Sequence, residues 1–136
     1  YAFDLLMRRQ CLPIEIVSQI LAAPFWSEID AMEPKKSQML TALRQTYSSL
    51  LMNGPFSVIV AHHGEMIGLT DRIKLRPMIA ATKADTLYLS SEEAAIRLVS
   101  PQLDKLWTAR GGEPIIGRVG GKKLIEFSTK QEVHSY

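Results

Sequence analysis

The residues that could do chemistry in this sequence fall into three groups. Cys11 is the single thiol. It stands just before a helical stretch, where partial positive charge lowers a thiol pKa. A nucleophile also needs a base and an oxyanion site, and neither stands beside it in the sequence. A half-buried structural cysteine is the expectation that follows. His62 and His63 are adjacent. Neighbouring side chains on a strand point to opposite faces, so the two are poorly placed to share one ion. With His134 close to the end of the sequence, the spacing gives no metal site. The third group is "DRIKLRP", residues 71–77. Asp71, Arg72 and Arg76 suit an anionic ligand, because arginine forks match carboxylates and phosphates. They equally suit an internal Asp–Arg pair that braces a loop, with Pro77 fixing the exit. The second reading is favoured, since ion pairs that hold loops are commoner than ligand sites.

The elements that must position these groups can be read from hydrophobic periodicity. Residues 2–9 suggest a helix with Phe3, Leu6 and Met7 on one face. "CLPIEIVSQILAAP" suggests a second, with Pro13 in its first turn and Ile14, Val17 and Leu21 at helical spacing. "FWSEIDAMEP" reads as a connector with two large aromatics. Pro34 opens a helix expected over 34–52, with Met39, Leu40, Leu43, Tyr47, Leu50 and Leu51 in one stripe and Asn53-Gly54 as its stop. The period then shortens. "PFSVIVA" and "MIGLT" are expected strands around a turn at Gly64. "MIAATKA" and "TLYLS" are a second pair around Ala84-Asp85. Glu92 to Val99 reads as a helix with Ser90 or Ser91 as cap. "EPIIGRV" and "KLIEF" are late strands joined at Gly120-Gly121, and 128–136 a tail. The expected organisation is a single or partial domain of α+β class. It is helical over 1–53, a mostly antiparallel sheet with one inserted helix over 54–127, then the tail.

Bulk properties narrow the function classes only coarsely. A chain of 136 residues with 46% hydrophobic and 22% charged side chains has enough apolar surface for a folded core. Net charge is +2, and the basic residues come in scattered pairs (Arg8-Arg9, Lys35-Lys36, Lys122-Lys123). That is no nucleic-acid stripe. There is no apolar run of membrane-spanning length and no signal-peptide pattern. A single cysteine fits a reducing cytosol, so a cytoplasmic location is expected. The chain opens on Tyr1 inside the apolar, helical "YAFDLLM". It is therefore expected to begin within a structured element.

The stretch "NGPFSVIVAHHGEMIGLTDRIKLRPMIAATKADTLYLSSEEAAI" (53–96) resembles the later part of the glutaminase domain of glutamate synthases and other class II glutamine amidotransferases. That family carries a DGP lead-in, two strands around a short turn, a D-R-x-G-L-R-P element, two more strands and an A-S-E segment opening a helix. The counterparts are Asn53-Gly54-Pro55, Asp71-Arg72, Leu75-Arg76-Pro77 and Ser90-Ser91-Glu92. Upstream, "LLMRRQCLPIEIVSQILAAPFW" is similar to the segment that follows the family's glutamine-binding region, and "GEPIIGRV" to its late strand. "AHHGEM" also looks like the family's HNGE loop, with His63 in place of Asn, although a hairpin turn explains the same letters. Lys74 stands where the family has Gly, at a position that suits positive φ.

The resemblance implies an N-terminal-nucleophile sandwich of αββα layers that hydrolyses glutamine and passes ammonia to a synthase domain or subunit. Its nucleophile, a first-residue cysteine, has no counterpart in Tyr1, and the rest of its catalytic set lies upstream of the matching part. No residue here inherits a catalytic, cofactor or metal role. Asp71, Arg72, Leu75, Arg76, Pro77, Ser91 and Glu92 are expected to form a structural or interface loop. The expected partners are the missing N-terminal half of the domain, the ammonia-accepting synthase, and a second copy of the chain. No nucleic acid, membrane or cofactor is expected, and no flavin or iron–sulfur signature is present. Two other readings follow from the same residues. One is a non-catalytic scaffold or regulatory module of the same fold. The other is a small anion-binding domain using Arg72 and Arg76.

Overall fold

In the computed structural model, which describes residues 1–120 and the backbone of 125–126, the first third of the chain is helical. Helix α1 (Ala2–Asp4) runs on as a π-turn, Leu5–Arg9. Helix α2 (Ile14–Leu21) follows, with Pro13 one position earlier than expected, as an extended cap residue. The supposed connector contains a short helix, α3 (Trp26–Asp30). The Glu28 carboxylate accepts the Phe25 N–H at 2.7 Å and closes its first turn. Helix α4 is shorter than its apolar stripe predicts. It spans Pro34–Thr46, and Tyr47 leaves helical geometry at φ −112° before a 3₁₀ turn, Ser48–Leu50. Of the stripe only Leu40 is buried, and Met39 is 44% exposed. Leu43, Tyr47 and Leu50 instead pack on the cluster of Leu6, Val17, Ile20 and Leu21. Met52 N–H then donates to the Leu21 carbonyl, satisfying a free acceptor at the end of α2.

The remainder is antiparallel sheet with one helix, as the α+β reading expects. Strands β1 (Ser57–His62) and β2 (Glu65–Thr70) form a hairpin, and β6 (Ile115–Arg118) and β7 (Ile125–Glu126) extend it in the order β1-β2-β6-β7. Strands β3 (Ile79–Lys83) and β4 (Thr86–Ser90) form a second hairpin, joined by β5 (Lys105–Thr108) in the order β4-β3-β5. Strand β5 was not expected from the sequence. Helix α5 (Glu93–Val99) packs against β4, and its cap residue is Glu92, not a serine. Ser90 still contributes, because its hydroxyl accepts the Glu92 N–H at 3.1 Å. The expected tail at 128–136 and most of "KLIEF" lie outside the described residues.

The two sheets stack face to face, and two glycines allow it. A Cβ on Gly68 of β2 would run into the Met78 thioether and Leu89, and one on Gly117 of β6 would sit 2.8 Å from Leu87. Met78, Ala80, Ala109 and Ile115 fill the space between, with Leu87, Leu89 and Trp107 around them. On the opposite face of the four-stranded sheet, Ile67 and Ile116 pack on Ile14 of α2, with Phe3, Met7 and Val60 beside them. At the rim of that face Arg118 bridges Glu65 of β2, at 2.6 Å, and Glu15 of α2. Its guanidinium thus ties a helix to two paired strands. Burial is the largest single influence on the Glu15 carboxyl and pushes its pKa up, but the hydrogen bond from Arg118, a backbone N–H and the Arg118 charge together outweigh it and hold the pKa below its ordinary value.

Candidate functional site

The segment between the two sheets, 71–77, is held by Asp71. Strand β2 delivers this side chain to the interior, where it is 2% exposed. Its carboxylate accepts the N–H groups of Leu75 at 2.8 Å, Arg76 at 3.1 Å and Phe56 at 3.4 Å. Desolvation raises the Asp71 pKa, but these backbone donors outweigh it and leave the pKa below its ordinary value. The expected internal Asp–Arg pair does not form among the described residues: Asp71 is satisfied by the backbone and Arg72 turns elsewhere. Lys74 adopts φ +56°, the left-handed geometry its position suggests. Replacing Lys74 by Gly is expected to stabilise the chain by about 1 kcal/mol, read as a higher urea midpoint at unchanged slope.

Arg72 is the hub of a cluster that the sequence did not reveal. Its guanidinium donates to the Ala23 carbonyl at 3.3 Å and the Asn53 side-chain oxygen at 3.1 Å, and it lies 4.5 Å from the centre of the Phe25 ring. Arg44 from α4 stands alongside. It donates to the next carbonyl, Pro24, at 2.7 Å and lies 4.1 Å from the centre of the Trp26 ring. Gly111 and Gly112 cross directly over the Arg72 backbone, and Gly112 N–H donates to the Thr70 carbonyl at 3.3 Å. The Gly111-Gly112 pair was the available signal. Two adjacent glycines between expected strands mark a close backbone approach, but nothing local says what approaches.

The other expected loop residues divide. Leu75 is 55% exposed and Ile73 61% exposed, so the tip of the loop is apolar and faces solvent. Arg76 and Pro77 are also exposed, and the Pro77 carbonyl accepts from the Ser57 hydroxyl at 3.4 Å. Ser91 and Glu92 lie at the same end of the three-stranded sheet, because Ser90 pairs with Ile79 just after Pro77. They are not part of the Arg72 cluster.

The reactive side chains meet elsewhere, in an open cleft of about 530 Å³ between the start of α2 and the β1–β2 turn. Cys11, Leu12, His62, His63, Glu65 and Arg118 are among its lining residues. Cys11 is exposed at φ +52°, not half-buried, with its thiol 3.9 Å from the Arg8 carbonyl. "HHGE" is a two-residue hairpin turn, with His63 at φ +47° and Gly64 at φ +75° between paired His62 and Glu65. This is the left-handed pair that a type I′ turn requires. The two imidazoles touch edge to face at 4.0 Å. Among the described residues no set of three His, Cys, Asp or Glu side chains is placed to hold a metal ion. Nor is any described helix long and apolar enough to cross a membrane.

No family model matches the chain. A protein of Archaeoglobus fulgidus, described only as an uncharacterized protein, is 57% identical to it over 123 residues, 90% of this chain and 32% of that protein. The chain therefore spans about a third of the length of the curated relative it matches.

Proposed function

We propose that this chain is the C-terminal portion of a class II glutaminase domain, which hydrolyses glutamine and supplies ammonia to a glutamate-synthase-type partner in the cytoplasm. The observation that carries the reading is the place of the D-R-x-x-L-R-P element. Asp71 and Arg72 fold it into the crossing between two stacked antiparallel sheets, with helices α1 and α2 on the outer face of the first. Two stacked antiparallel sheets with helices on one outer face support the reading, and the resemblance extends them to an αββα sandwich. In this reading the 136 residues contribute scaffold. The nucleophile, its base and the oxyanion site belong to an upstream part of the folded unit, and the exposed tip at Ile73 and Leu75 faces a partner.

The test uses the longer relative. Full-length Archaeoglobus protein is expected to release glutamate from glutamine. Exchanging its matching third for this chain is expected to preserve that activity, since 57% identity keeps the packing. The chain alone is expected to release none. A full-length relative that is folded yet inert sinks the enzymatic reading and leaves a scaffold. Turnover by the isolated chain overturns the assignment of roles.

A further inference from the structure

Arginines that brace loops are normally matched by a carboxylate, and Arg44 and Arg72 are not. Each is anchored by a neutral acceptor: the carbonyls of the consecutive residues Ala23 and Pro24, and the Asn53 amide oxygen. Each is stacked on one of two consecutive aromatic rings, Phe25 and Trp26, which remain 38% and 45% exposed. These contacts use only part of the five N–H donors on each guanidinium fork. Two carboxylates of the neighbouring elements, Glu28 and Glu113, have other partners. Glu28 accepts the Phe25 N–H at 2.7 Å, and Glu113 pairs with Arg110 at 3.8 Å. Neither arginine makes an ion pair among the described residues.

Two cations held side by side without an anion are costly unless something compensates them. From this geometry we propose that Arg44 and Arg72 form an oxyanion-binding site for a ligand bearing a carboxylate or phosphate group, with Phe25 and Trp26 as its apolar shelf. Stacking fixes the plane of each fork, which suits bidentate capture of an oxyanion. Desolvation and the nearby Arg72 charge push the Arg44 pKa below its ordinary value, as expected of like charges with no counterion between them. The site differs from the anion site expected from the sequence in its second arginine. Arg44, 28 residues upstream of Arg72, takes the place assigned to Arg76. It does not depend on the glutaminase reading.

Trp26 reports directly on the site. In a Trp107→Phe background it is the single tryptophan. Its fluorescence is titrated with inorganic phosphate and, separately, with succinate, each against sodium chloride at equal ionic strength. A saturable change with one or both anions is expected, and the tighter one identifies the group the site prefers. Arg44→Gln is expected to weaken binding about tenfold, while Arg9→Gln leaves it unchanged. Should Arg44→Gln lose its native circular dichroism, Arg72→Lys serves instead. It keeps the charge, loses the fork, and is expected to weaken binding several-fold. A response no larger than that of chloride, or an undiminished titration in the folded variant, overturns the proposal.

Discussion

Asp71→Ala is expected to remove about 3 kcal/mol of unfolding free energy, because it strips the buried acceptor from three part-buried backbone N–H groups. The bonds to Leu75 and Arg76 carry most of this. The one to Phe56, at 3.4 Å, is long and contributes least. Asp71→Asn preserves the shape but offers one oxygen where the carboxylate offers two. It leaves at least one donor facing an amide nitrogen, and is expected to cost about 2 kcal/mol. The pH dependence has a definite sign. The folded-state pKa of Asp71 lies below its ordinary 3.8, so its stabilisation is complete above that value and is lost as pH falls through the depressed one. Acid unfolding of the wild type should therefore begin below about pH 4, and Asp71→Asn should flatten this limb. Urea midpoints at pH 7 and across the acid range decide it. A loss under 1 kcal/mol for Asp71→Ala would mean that the loop is held by something other than its carboxylate.

What the sequence made legible was local. Both hairpins could be read because each is closed by two residues, His63-Gly64 and Ala84-Asp85, between short apolar runs. Helix α2 could be read because Ile14, Val17 and Leu21 face a core at helical spacing. Helix α4 is shorter than its apolar stripe predicts, because the stripe continues through Tyr47 into the 3₁₀ turn although the helix does not. Strand β5 is not legible in the sequence for a different reason. Its four residues, Lys105–Thr108, carry no turn signal, and they become a strand by pairing with β3, more than 20 positions upstream. The candidate site shows the same limit more sharply. Asp71 and Arg72 could be singled out by type, but their partners could not. The carbonyls of Ala23 and Pro24 and the rings of Phe25 and Trp26 come from the α2–α3 connection, and Arg44 from α4. Their meeting is a property of the fold, and no spacing in the sequence encodes it.

The same distance between sequence and contact makes Gly111, among the described glycines, the one pressed most closely on backbone. An added Cβ there would collide with the Arg72 carbonyl oxygen, lie 2.8 Å from the Arg72 carbonyl carbon and 3.0 Å from the Asp71 oxygen. Every one of those atoms is backbone, and that backbone is fixed by the Asp71 carboxylate and the Arg72 anchors. Nothing at the contact can swing aside, so Gly111→Ala is expected to cost about 3 kcal/mol or more. Gly68→Ala is the informative comparison. It meets the end of the Met78 side chain and the Leu89 methyl at 2.9 Å, and a thioether can change rotamer where a peptide cannot. Its cost is expected near 1 kcal/mol, although Gly68 lies deeper between the sheets. Urea unfolding of the two variants side by side therefore separates close packing in general from a backbone crossing in particular. Equal losses would show that the 110–113 loop yields easily. A much larger loss for Gly111→Ala, accompanied by a changed Trp26 emission as Arg72 and its neighbour Arg44 are displaced, would show that this crossing sets the position of both guanidinium groups.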